Sequence, residues 1–528
     1  MDVLRIIVIL STLILGALAY TKDYTGYEVL RIFYRNQKEE SVINNLIKDG
    51  KLRLHLWGEA KEGSIDVQVR PAAQKHVTDT LTKQGIKYQV DIPNIQAEID
   101  RESKEEAEAE IKQRLHRRRL ARSTRHRSPK EKASQTFHNL TIVGEYATFP
   151  KMREWFQAAR RLYPHMIKIE TIGRTTENRP MEVLKIGVGQ CSRKPIIYLD
   201  ANIHAREWVT SATAIYIINK LLTQYGKDLN VTMLLDHYNW YIVPVANPDG
   251  FVYSHTTDRL WRKTRSRVSD ECYGVDPNRN WDYHWMDCCA FNPNRTCRTL
   301  WDRWSCASQN PCDDVYGGPR AFSEPETKAM SDFLLRIKEG VKMYMSFHCY
   351  SQLWLNPWGY TRDQPKYNDE LERVAAIGAK ALESVHGTKF RIGSPAHLLY
   401  STAGGSYDWA KGVAGIKYSY TLELRDKGQH GFLLPMDQLV PTGEEVWAAV
   451  QAVATDLMID RPEVTPSVSV SNTPDPPSAE QKLGSPSDGD QSNGKEPPSS
   501  SQDKGSSAEN SQGKGPSGSG QVPDGAIF

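Results

Sequence analysis

The stretch Ile196-Ile-Tyr-Leu-Asp-Ala-Asn-Ile203 runs directly into His204-Ala-Arg-Glu207. Its apolar run predicts a buried β-strand, and open α/β sheets place their ligand sites just beyond the carboxyl ends of their strands. His204 and Glu207 stand at such a place in H-x-x-E spacing, which suits a catalytic zinc. Alone, the spacing is weak support, because a capping or surface pair at the start of a helix gives the same pattern.

Two further apolar stretches end in a residue that can bind a metal or transfer a proton. Val341–Phe347 is followed by His348, and Tyr418–Leu422 is followed by Glu423. Such a side chain at the tip of a buried strand costs free energy unless it has a partner, and a shared metal with its activated water supplies one. Three protein ligands with an open fourth position form a catalytic site, in which a further carboxylate acts as general base. Taken singly, His348 could be a core histidine and Glu423 could pair with Arg425.

The alternation of apolar strands and helices predicts the fold class. Strands expected at Pro195–Ala201 and Trp240–Val245 alternate with helical stretches, of which Val209–Tyr225 is one. This pattern predicts an α/β domain over residues 134–460, with a mixed, largely parallel central sheet flanked by helices. Residues 20–95 combine shorter strands and helices, and they predict a small α+β domain before it.

Composition excludes two classes of protein. The chain has 528 residues, of which 39% are hydrophobic, and a formal net charge of +3 from 67 basic and 64 acidic residues. The apolar content is enough to bury a large core and excludes a wholly disordered chain. The nearly balanced charge excludes a strongly basic nucleic-acid binder, so we expect no nucleic-acid partner.

Residues 1–19 predict a secretory signal peptide. Arg5 precedes an apolar run from Ile6 to Leu15, and Ala17-Leu-Ala19 provides a cleavage site of small residues. The run is too short for a stable membrane anchor, and no later stretch reaches about 18 uninterrupted apolar residues. The protein is therefore predicted to be secreted and extracellular, where disulfides and glycosylation are possible. Three sequons are compatible with glycosylation, at Asn139, Asn230 and Asn294.

A basic segment separates the two predicted domains. Seven arginines occur in the 14 residues from Arg114 to Arg127, within residues 96–133, which we predict to be a helical connecting and activation segment. The run could be a solvated helix end, a polyanion-binding patch or a processing site for a basic-directed protease. Its place between two globular stretches favours processing, because proteases need exposed and mobile backbone.

Residues 461–528 predict a disordered tail. They contain 15 Ser, 10 Pro and 9 Gly, which together make up half of the segment. Such a segment buries too little apolar surface to offset the entropy lost on ordering.

The cysteines are concentrated in one part of the larger domain. Six of the eight lie within 41 residues, and they contain no paired C-x₂-C spacing, so a disulfide cluster fits better than a zinc ribbon. These six are Cys272, Cys288, Cys289, Cys297, Cys306 and Cys312, while Cys191 and Cys349 lie apart.

Seven motifs occur along the larger domain: His204-Ala-Arg-Glu-Trp208, Asn247-Pro-Asp-Gly250, Arg259-Leu-Trp-Arg262, Asp276-Pro-Asn278-Arg279-Asn-Trp281, Ser346-Phe-His348, Ala403-Gly-Gly-Ser406 and Glu423-Leu-Arg-Asp-Lys-Gly428. In this order they resemble a secreted zinc metallocarboxypeptidase of the carboxypeptidase A/B kind, in its zymogen form. The resemblance covers the chain from about Tyr24 to Asp460. It implies one Zn²⁺ per catalytic domain, peptide and protein C-termini as substrates, and inhibition by the chain's own propeptide until a protease cuts the basic segment.

The resemblance also implies roles for individual residues. His204, Glu207 and His348 correspond to the zinc ligands. Glu423 corresponds to the general base, and Arg262 to the cation that stabilises the developing oxyanion. The implied substrate-binding residues are Asn278 and Arg279 for the free α-carboxylate, Tyr400 as the tyrosine that closes over it, and Arg206 and Tyr350 at secondary positions.

The chain departs from the family pattern at three places. Cys349 follows His348 where a small serine is more usual, so the metal neighbourhood carries a thiol or a half-cystine. Cys272 and Cys312 stand where the family's common disulfide lies, and the added cysteines between them have no assigned pairing. Tyr407 takes the position that lines the specificity pocket, where an acidic residue selects basic C-termini and an aliphatic residue selects apolar ones. We expect a preference for neutral or apolar C-terminal residues.

Two other classes of function remain to be weighed. A secreted structural or binding protein could keep the fold without turnover, and the added cysteines, Cys349 and the tail leave room for it. Against it, none of the implied ligands, base, oxyanion cation or carboxylate-binding residues is substituted. A regulatory-type carboxypeptidase is disfavoured, because a propeptide-like unit precedes the peptidase domain and a disordered tail follows it, rather than a folded β-rich domain.

Overall fold

The computed structural model describes residues 22–58, 63–123, 142–189, 194–289, 292 and 305–459, and only the backbone of residues 116–123. The predicted signal peptide and disordered tail lie outside the described residues, as do Cys191, Cys297 and the sequons at Asn139 and Asn294. Within the described part, no helix is both long and apolar enough to cross a membrane.

The N-terminal domain packs two helices against a four-stranded sheet. Its strands are β1 (Glu28–Phe33), β2 (His55–Leu56), β3 (Ser64–Val69) and β4 (Tyr88–Ile92), and its helices are α1 (Gln37–Lys48) and α2 (Pro71–Lys83). The strand order is β2-β3-β1-β4, with every pair antiparallel. Asn36 caps α1 by accepting a hydrogen bond from the backbone N–H of Glu39. A longer helix, α3 (Ile95–Ser123), follows the domain.

The larger domain is built on an eight-stranded mixed sheet. Its strands are β5 (Ile167–Arg174), β6 (Pro180–Ile186), β7 (Ile196–Ala201), β8 (Asn239–Val243), β9 (Val341–His348), β10 (Leu353–Leu355), β11 (Arg391–Gly393) and β12 (Tyr418–Glu423). Their order is β11-β10-β12-β9-β7-β8-β6-β5, and the central strands β12, β9, β7 and β8 are parallel. Strands β10, β6 and β5 each run antiparallel to the neighbour nearer the centre. The predicted fold class is confirmed.

Helices cover both faces of this sheet. They are α4 (Phe149–Leu162), α5 (Trp208–Gln224), α6 (Leu229–His237), α7 (Pro248–Thr256), α8 (Pro325–Ile337), α9 (Asn368–His386), α10 (Pro395–Leu398), α11 (Ser406–Gly412) and α12 (Leu439–Asp456), with two 3₁₀ helices at Lys338–Gly340 and Met436–Gln438. Ile197 and Leu199 of β7 pack in the cluster that contains α5, α9 and α12. Tyr198 between them packs with α8 and α11. Successive side chains of a strand point to opposite faces, so both faces of β7 are buried and its residues are mostly apolar, with Asp200 as the buried exception.

The parallel strands bring the predicted metal-binding residues to one edge of the sheet. In the aligned strands, Ala201 of β7 is opposite Phe347 of β9, and His348 of β9 is opposite Glu423 of β12. The carboxyl ends of β7, β9 and β12 therefore lie side by side, which is where open α/β sheets form their ligand sites.

Disulfides staple the segment that follows α7. Cys272 pairs with Cys312, and Cys288 pairs with Cys306. Cys289 is also disulfide-bonded. Cys349 is a free, buried thiol and not a half-cystine.

Candidate active site

The turn between β7 and α5 is held by Asn202. Its backbone is left-handed (φ 54°), a conformation that Asn tolerates better than most residues. Its side-chain amide donates to the backbone carbonyls of Ala205 at 3.4 Å and Glu207 at 3.3 Å. The Thr210 hydroxyl donates to the Glu207 carbonyl at 2.7 Å and accepts from the Asn202 N–H at 2.9 Å. These bonds fix the short segment that carries His204 and Glu207.

Three buried side chains converge at this edge of the sheet. His204 Nδ1 lies 2.8 Å from Glu207 Oε1, and His348 Nδ1 lies 3.2 Å from His204 Nδ1 and 3.3 Å from Glu207 Oε2. One ligand atom from each residue falls within a span of 4.8 Å, and none of the three side chains is more than 2% exposed. The geometry offers two imidazole nitrogens and a carboxylate to one ion.

The contacts of His204 fit a metal ion bound between these groups. Its Nε2 lies 3.1 Å from Oδ1 of buried Asp276. Burial alone would raise the pKa of Asp276, but Arg262 and His204 hold it well below its usual range, so the carboxylate accepts the Nε2–H. A histidine that donates its Nε2–H to Asp276 can present the Nδ1 lone pair to a metal ion, and Nδ1 lies 2.8 Å from the Glu207 carboxylate. A bound zinc ion satisfies both, and the carboxylate–histidine pair orients the ligand.

The pKa shifts of the other two candidate ligands run toward the forms that bind metal. Burial lowers the pKa of His348, in the direction of the neutral imidazole. Burial alone would raise the pKa of Glu207, but His204 and His348 together bring it below its usual value, so the side chain is a carboxylate. Neutral imidazole and ionised carboxylate are the ligand forms that zinc requires.

Glu423 and Cys349 border this cluster in different ways. Glu423 ends β12 beside His348 and is 5% exposed. Arg425, the alternative partner of Glu423, binds Glu445 instead, with Arg425 Nε 2.9 Å from Glu445 Oε2. The backbone N–H of Cys349 donates to Glu207 Oε2 at 3.3 Å, while burial raises the pKa of its thiol and keeps it protonated.

Asp276 joins the metal cluster to Arg262. Its Oδ2 accepts from Arg262 Nε at 3.1 Å and Nη2 at 2.9 Å, while its Oδ1 faces His204 and accepts the Asn278 N–H at 2.8 Å. Our sequence interpretation assigned Asp276 no role. The signal was present, because this residue begins the motif that contains Asn278 and Arg279.

Arg279 is a buried cation with no carboxylate partner in the described part of the chain. It is 2% exposed, and its guanidinium donates to the backbone carbonyls of Asn278 at 3.0 Å and Ser305 at 3.1 Å. Its Nε is buried without a hydrogen-bond partner among the described residues. The side-chain oxygen of Asn278 accepts the N–H of Ser406 at the start of α11, at 2.9 Å. Carbonyls orient a guanidinium but do not neutralise it, so Arg279 suits an anionic ligand.

The N-terminal domain lies across the mouth of the site. Tyr350 donates its hydroxyl to Asp66 Oδ2 at 2.8 Å, and Arg31 binds the same carboxylate through two hydrogen bonds of 2.7 and 2.8 Å. Tyr400 packs in the apolar core of that domain with residues such as Leu54. Two of the predicted substrate-binding residues are therefore engaged by the N-terminal domain.

A cavity of about 590 Å³ remains between the two domains. Arg206, Arg262 and Tyr400 line it from the larger domain. The Arg206 guanidinium lies 4.2 Å above the ring of Phe432 and 3.5 Å from Asp314. The N-terminal domain thus covers the entrance without filling the space next to Arg262.

Helix α3 is anchored to the larger domain by a buried ion pair. Arg259 and Glu102 are 0% and 1% exposed, and Arg259 binds the carboxylate through Nε and through Nη2, the latter at 2.8 Å. Arg259 also donates to the carbonyls of Arg206 at 3.0 Å and Phe432 at 2.8 Å, and it stacks 3.6 Å above Trp208. Trp208 follows Glu207 directly, so this anchor lies next to the metal cluster.

Tyr407 is buried on α11, close to the residues that hold Arg279. Its hydroxyl lies 3.1 Å from Thr402 Oγ1. Gly359 lies so near that an added Cβ would overlap both the Tyr407 and the Thr402 hydroxyl. Ser406, immediately before Tyr407, bonds to Asn278. The phenol therefore occupies a defined position beside the predicted carboxylate-binding residues.

The fold and the three-residue cluster define a hydrolase domain with a single zinc site, and comparisons with known proteins specify its family. The family described as zinc carboxypeptidase matches residues 152–449, and the carboxypeptidase activation peptide family matches residues 30–102. The chain belongs to the zinc carboxypeptidase family and carries that family's activation peptide. It is an enzyme, a zinc-dependent exopeptidase in zymogen form, and the cluster of His204, Glu207 and His348 is consistent with a zinc site.

Individual relatives cover both parts of the chain. It is 42% identical over 311 residues to carboxypeptidase B of Astacus astacus, a match covering 58% of this chain and 96% of the relative. It is 36% identical over 453 residues to carboxypeptidase A1 of Homo sapiens, covering 85% and 98%. Among solved structures, thrombin activatable fibrinolysis inhibitor matches with a TM-score of 0.68 and 30% identity, covering 81% of this chain and 98% of that one.

Proposed function

We propose that this protein is a secreted zymogen whose activated form releases neutral, mainly small or medium apolar residues from peptide C-termini. The observation that supports the exopeptidase assignment is Arg279, a buried guanidinium that donates to backbone carbonyls and to no carboxylate in the described part of the chain. It follows Asn278 in the same segment as Asp276, whose carboxylate orients His204. A cation at this place selects a free α-carboxylate and restricts cleavage to the last peptide bond.

The side chains around the metal divide the catalytic work. Zinc, when bound, supplies Lewis acidity that polarises the scissile carbonyl and lowers the pKa of water. Glu423 accepts a proton from the attacking water and delivers it to the leaving amine. Arg262, held by Asp276, stabilises the negative charge that develops on the carbonyl oxygen. Asn278 and Arg279 hold the substrate's α-carboxylate meanwhile.

Activation releases the remaining substrate-binding residues. We call the N-terminal domain together with α3 the prosegment. Tyr400 packs against its apolar core, and the Tyr350 hydroxyl is bonded to its residue Asp66. We propose that cleavage within Arg114–Arg127 and departure of the prosegment free Tyr400 to close over the carboxylate. Arg206 and Tyr350 then contact the substrate residues further from the cleaved bond.

Tyr407 supports a preference for neutral side chains, because a phenol offers no charge to a buried Lys or Arg. Burying an unpaired cation costs several kcal/mol, far more than the ~0.8 kcal/mol gained per buried methylene. The adjacent Asp408 does not compensate: its carboxyl accepts the backbone N–H groups of Gly359 and Tyr360. Burial raises the pKa of Asp408 to about 7.

The position of the phenol supports a limit on side-chain size. Tyr407 is bulkier than an aliphatic residue at this place, and contact with Thr402 and Gly359 leaves it little room to move. A pocket shortened in this way favours Ala, Val, Leu or Met over large aromatic residues. The relatives carry both A and B in their names and so do not decide the preference.

The proposal is tested with blocked dipeptides ending in Leu, Phe, Glu and Lys on the activated enzyme, with and without a chelator. We expect kcat/KM to be highest for Leu, and chelation to abolish release of every residue. Tyr407→Ile should raise the Phe/Leu ratio, while Tyr407→Phe, which keeps the ring and removes only the hydroxyl, should leave it nearly unchanged. A wild-type preference for Lys over Leu would contradict the neutral pocket. An unmoved Phe/Leu ratio in Tyr407→Ile would show that this residue does not line it.

Secretion and glycosylation have their own support. The signal-like segment precedes Tyr20, and Asn230, the one sequon in the described part of the chain, is exposed in the first turn of α6. We expect the secreted protein to begin at Tyr20 and to lose mass on enzymatic deglycosylation. An intact Met1 N-terminus on extracellular protein would contradict the signal peptide.

A further inference from the structure

The Cys288–Cys306 disulfide lies at the centre of a small apolar cluster beside the predicted carboxylate-binding residues. Both cysteines are 1% exposed, and they pack with Ala307, Ala403 and the half-buried Met286. The bond closes a loop of 18 residues.

Backbone groups next to Cys306 bond directly to two parts of the site. The carbonyl of Ser305 accepts from Arg279 Nη2 at 3.1 Å. The carbonyl of Cys306 accepts the N–H of Ala403 at 3.3 Å, in the loop that joins Tyr400 to α11. The same loop is bonded to the Arg279 segment, since Trp281 N–H donates to the Gly404 carbonyl at 3.1 Å. One half-cystine thus borders both the cation and the loop of the closing tyrosine.

The orientation of Arg279 depends on Ser305 to an unusual degree. The guanidinium donates to two carbonyls, and one of them belongs to Asn278, the residue next to it in the chain. The Asn278 carbonyl moves together with Arg279, so Ser305 provides the independent reference point. Ser305 is fully buried, and its hydroxyl has no hydrogen-bond partner among the described residues. Its covalent neighbour in the described part of the chain is the half-cystine Cys306, which constrains the position of the Ser305 carbonyl.

We propose that the Cys288–Cys306 disulfide is a positioning element for recognition of the substrate's α-carboxylate, acting through the Ser305 carbonyl on Arg279. The inference rests on the proposed role of Arg279. It assigns to the added cysteines a function in substrate binding and none in the chemical step. Loss of the disulfide should therefore weaken substrate binding while the metal ligands, Glu423 and Arg262 continue to work.

The test compares the activated double variant Cys288→Ala/Cys306→Ala with the activated wild type on a blocked dipeptide ending in Leu. We expect KM to rise about tenfold with kcat within about twofold, the pattern of a binding interaction lost equally from ground and transition states. Zinc content per mole of protein should be unchanged. Hydrogen exchange at the Ala403 amide, which donates to Cys306, should be faster in the variant.

A matched control is available in the other disulfide. Cys272→Ala/Cys312→Ala removes a disulfide of the same segment. The Cys272 carbonyl bonds to the N–H groups of Val268 and Ser269, and Cys312 lines the cavity near Arg262, but neither cysteine is hydrogen-bonded to Arg279 or to Ala403 in the described part of the chain. This variant should keep the wild-type KM. Equal KM increases in both double variants would mean general loosening of the segment and would overturn the inference.

Arg279→Gln separates this inference from the proposed function on which it rests. If Arg279→Gln leaves KM unchanged, the carboxylate assignment itself is wrong. If Arg279→Gln raises KM and Cys288→Ala/Cys306→Ala does not, only the positioning role of the disulfide is wrong. Should the double variant fail to fold, Ser305→Gly keeps the disulfide and loosens the backbone that carries the carbonyl. A wild-type KM in that variant would overturn the inference as well.

Discussion

Replacing Glu102 by Gln is expected to weaken the hold of the prosegment on the enzyme. Glu102 and Arg259 are almost fully buried at the contact between α3 and the larger domain, and the carboxylate receives two guanidinium N–H groups. Gln keeps one acceptor oxygen but turns the other position into an N–H₂ donor, which then faces an N–H of Arg259. One buried donor of a charged group is thereby left without its acceptor.

The expected magnitude follows from the burial of the pair. Removing one partner of a buried ion pair costs about 3–5 kcal/mol. At 1.4 kcal/mol per factor of ten, this corresponds to roughly a 10²- to 4 × 10³-fold rise in the dissociation constant of the prosegment. Burial raises the pKa of Glu102, although Arg259 acts in the opposite direction. The cost of burying the carboxylate therefore offsets part of the favourable energy of the ion pair. We therefore expect a value near the lower end, about 10²-fold.

The assay adds purified prosegment back to activated enzyme and measures its inhibition constant on a blocked dipeptide. Glu98→Gln provides the control on the same helix, because Glu98 is 31% exposed and forms only partly exposed pairs, with Arg101 at 2.9 Å and with His430 of the larger domain at 3.8 Å. Surface pairs of this kind contribute about 0–1 kcal/mol, so the control should shift the constant by less than about fivefold. If Glu102→Gln shifted it no more than Glu98→Gln, the buried pair would not hold the prosegment and the reasoning from burial would be wrong.

Three further outcomes are expected. Glu423→Gln should keep its zinc and lose about 10²–10⁴-fold in kcat; a variant that retained more than about a tenth of wild-type kcat would contradict its role as base. Limited trypsin treatment should cut between Arg114 and Arg127 and raise activity, and equal activity before and after cleavage would contradict latency. Burial raises the pKa of Asp408 to about 7, above its unfolded value of about 3.9. The folded state therefore binds the extra proton between these values, and this group's contribution to the free energy of unfolding falls as pH rises from about 4 to 7. Asp408→Asn should remove that slope in urea unfolding at pH 5 and pH 7, and an identical slope in both proteins would exclude an Asp408 ionisation of this kind.

The metal site follows from local sequence patterns. Three apolar strands each end at or just before a His or Glu, and parallel pairing of β7, β9 and β12 is enough to bring those ends together. The cluster of His204, Glu207 and His348 is therefore predictable from strand periodicity and the placing of polar residues. The turn at Asn202 that fixes two of the ligands has no comparable signature in the sequence.

The contacts that regulate the site could not be predicted, because they join distant residues. Tyr350 and Asp66 are separated by 284 positions, and Arg259 and Glu102 by 157. Each partner taken alone resembles an ordinary surface residue of its own helix or strand. The Cys288–Cys306 pairing belongs to the same class, since spacing does not determine disulfide connectivity among six cysteines.

The closeness of Gly359 to Tyr407 limits how the proposed specificity pocket can change over evolution or in the laboratory. Any side chain at position 359 would collide with the hydroxyls of Tyr407 and Thr402, whereas a smaller residue at position 407 collides with nothing. The order of substitution therefore matters. Tyr407 must be replaced by a smaller residue, and the Thr402 side chain must move or be replaced, before position 359 can accept a larger residue. A variant library that changes position 359 first would consist largely of damaged proteins. A library that first replaces Tyr407 by smaller residues should instead yield folded variants with a deeper pocket.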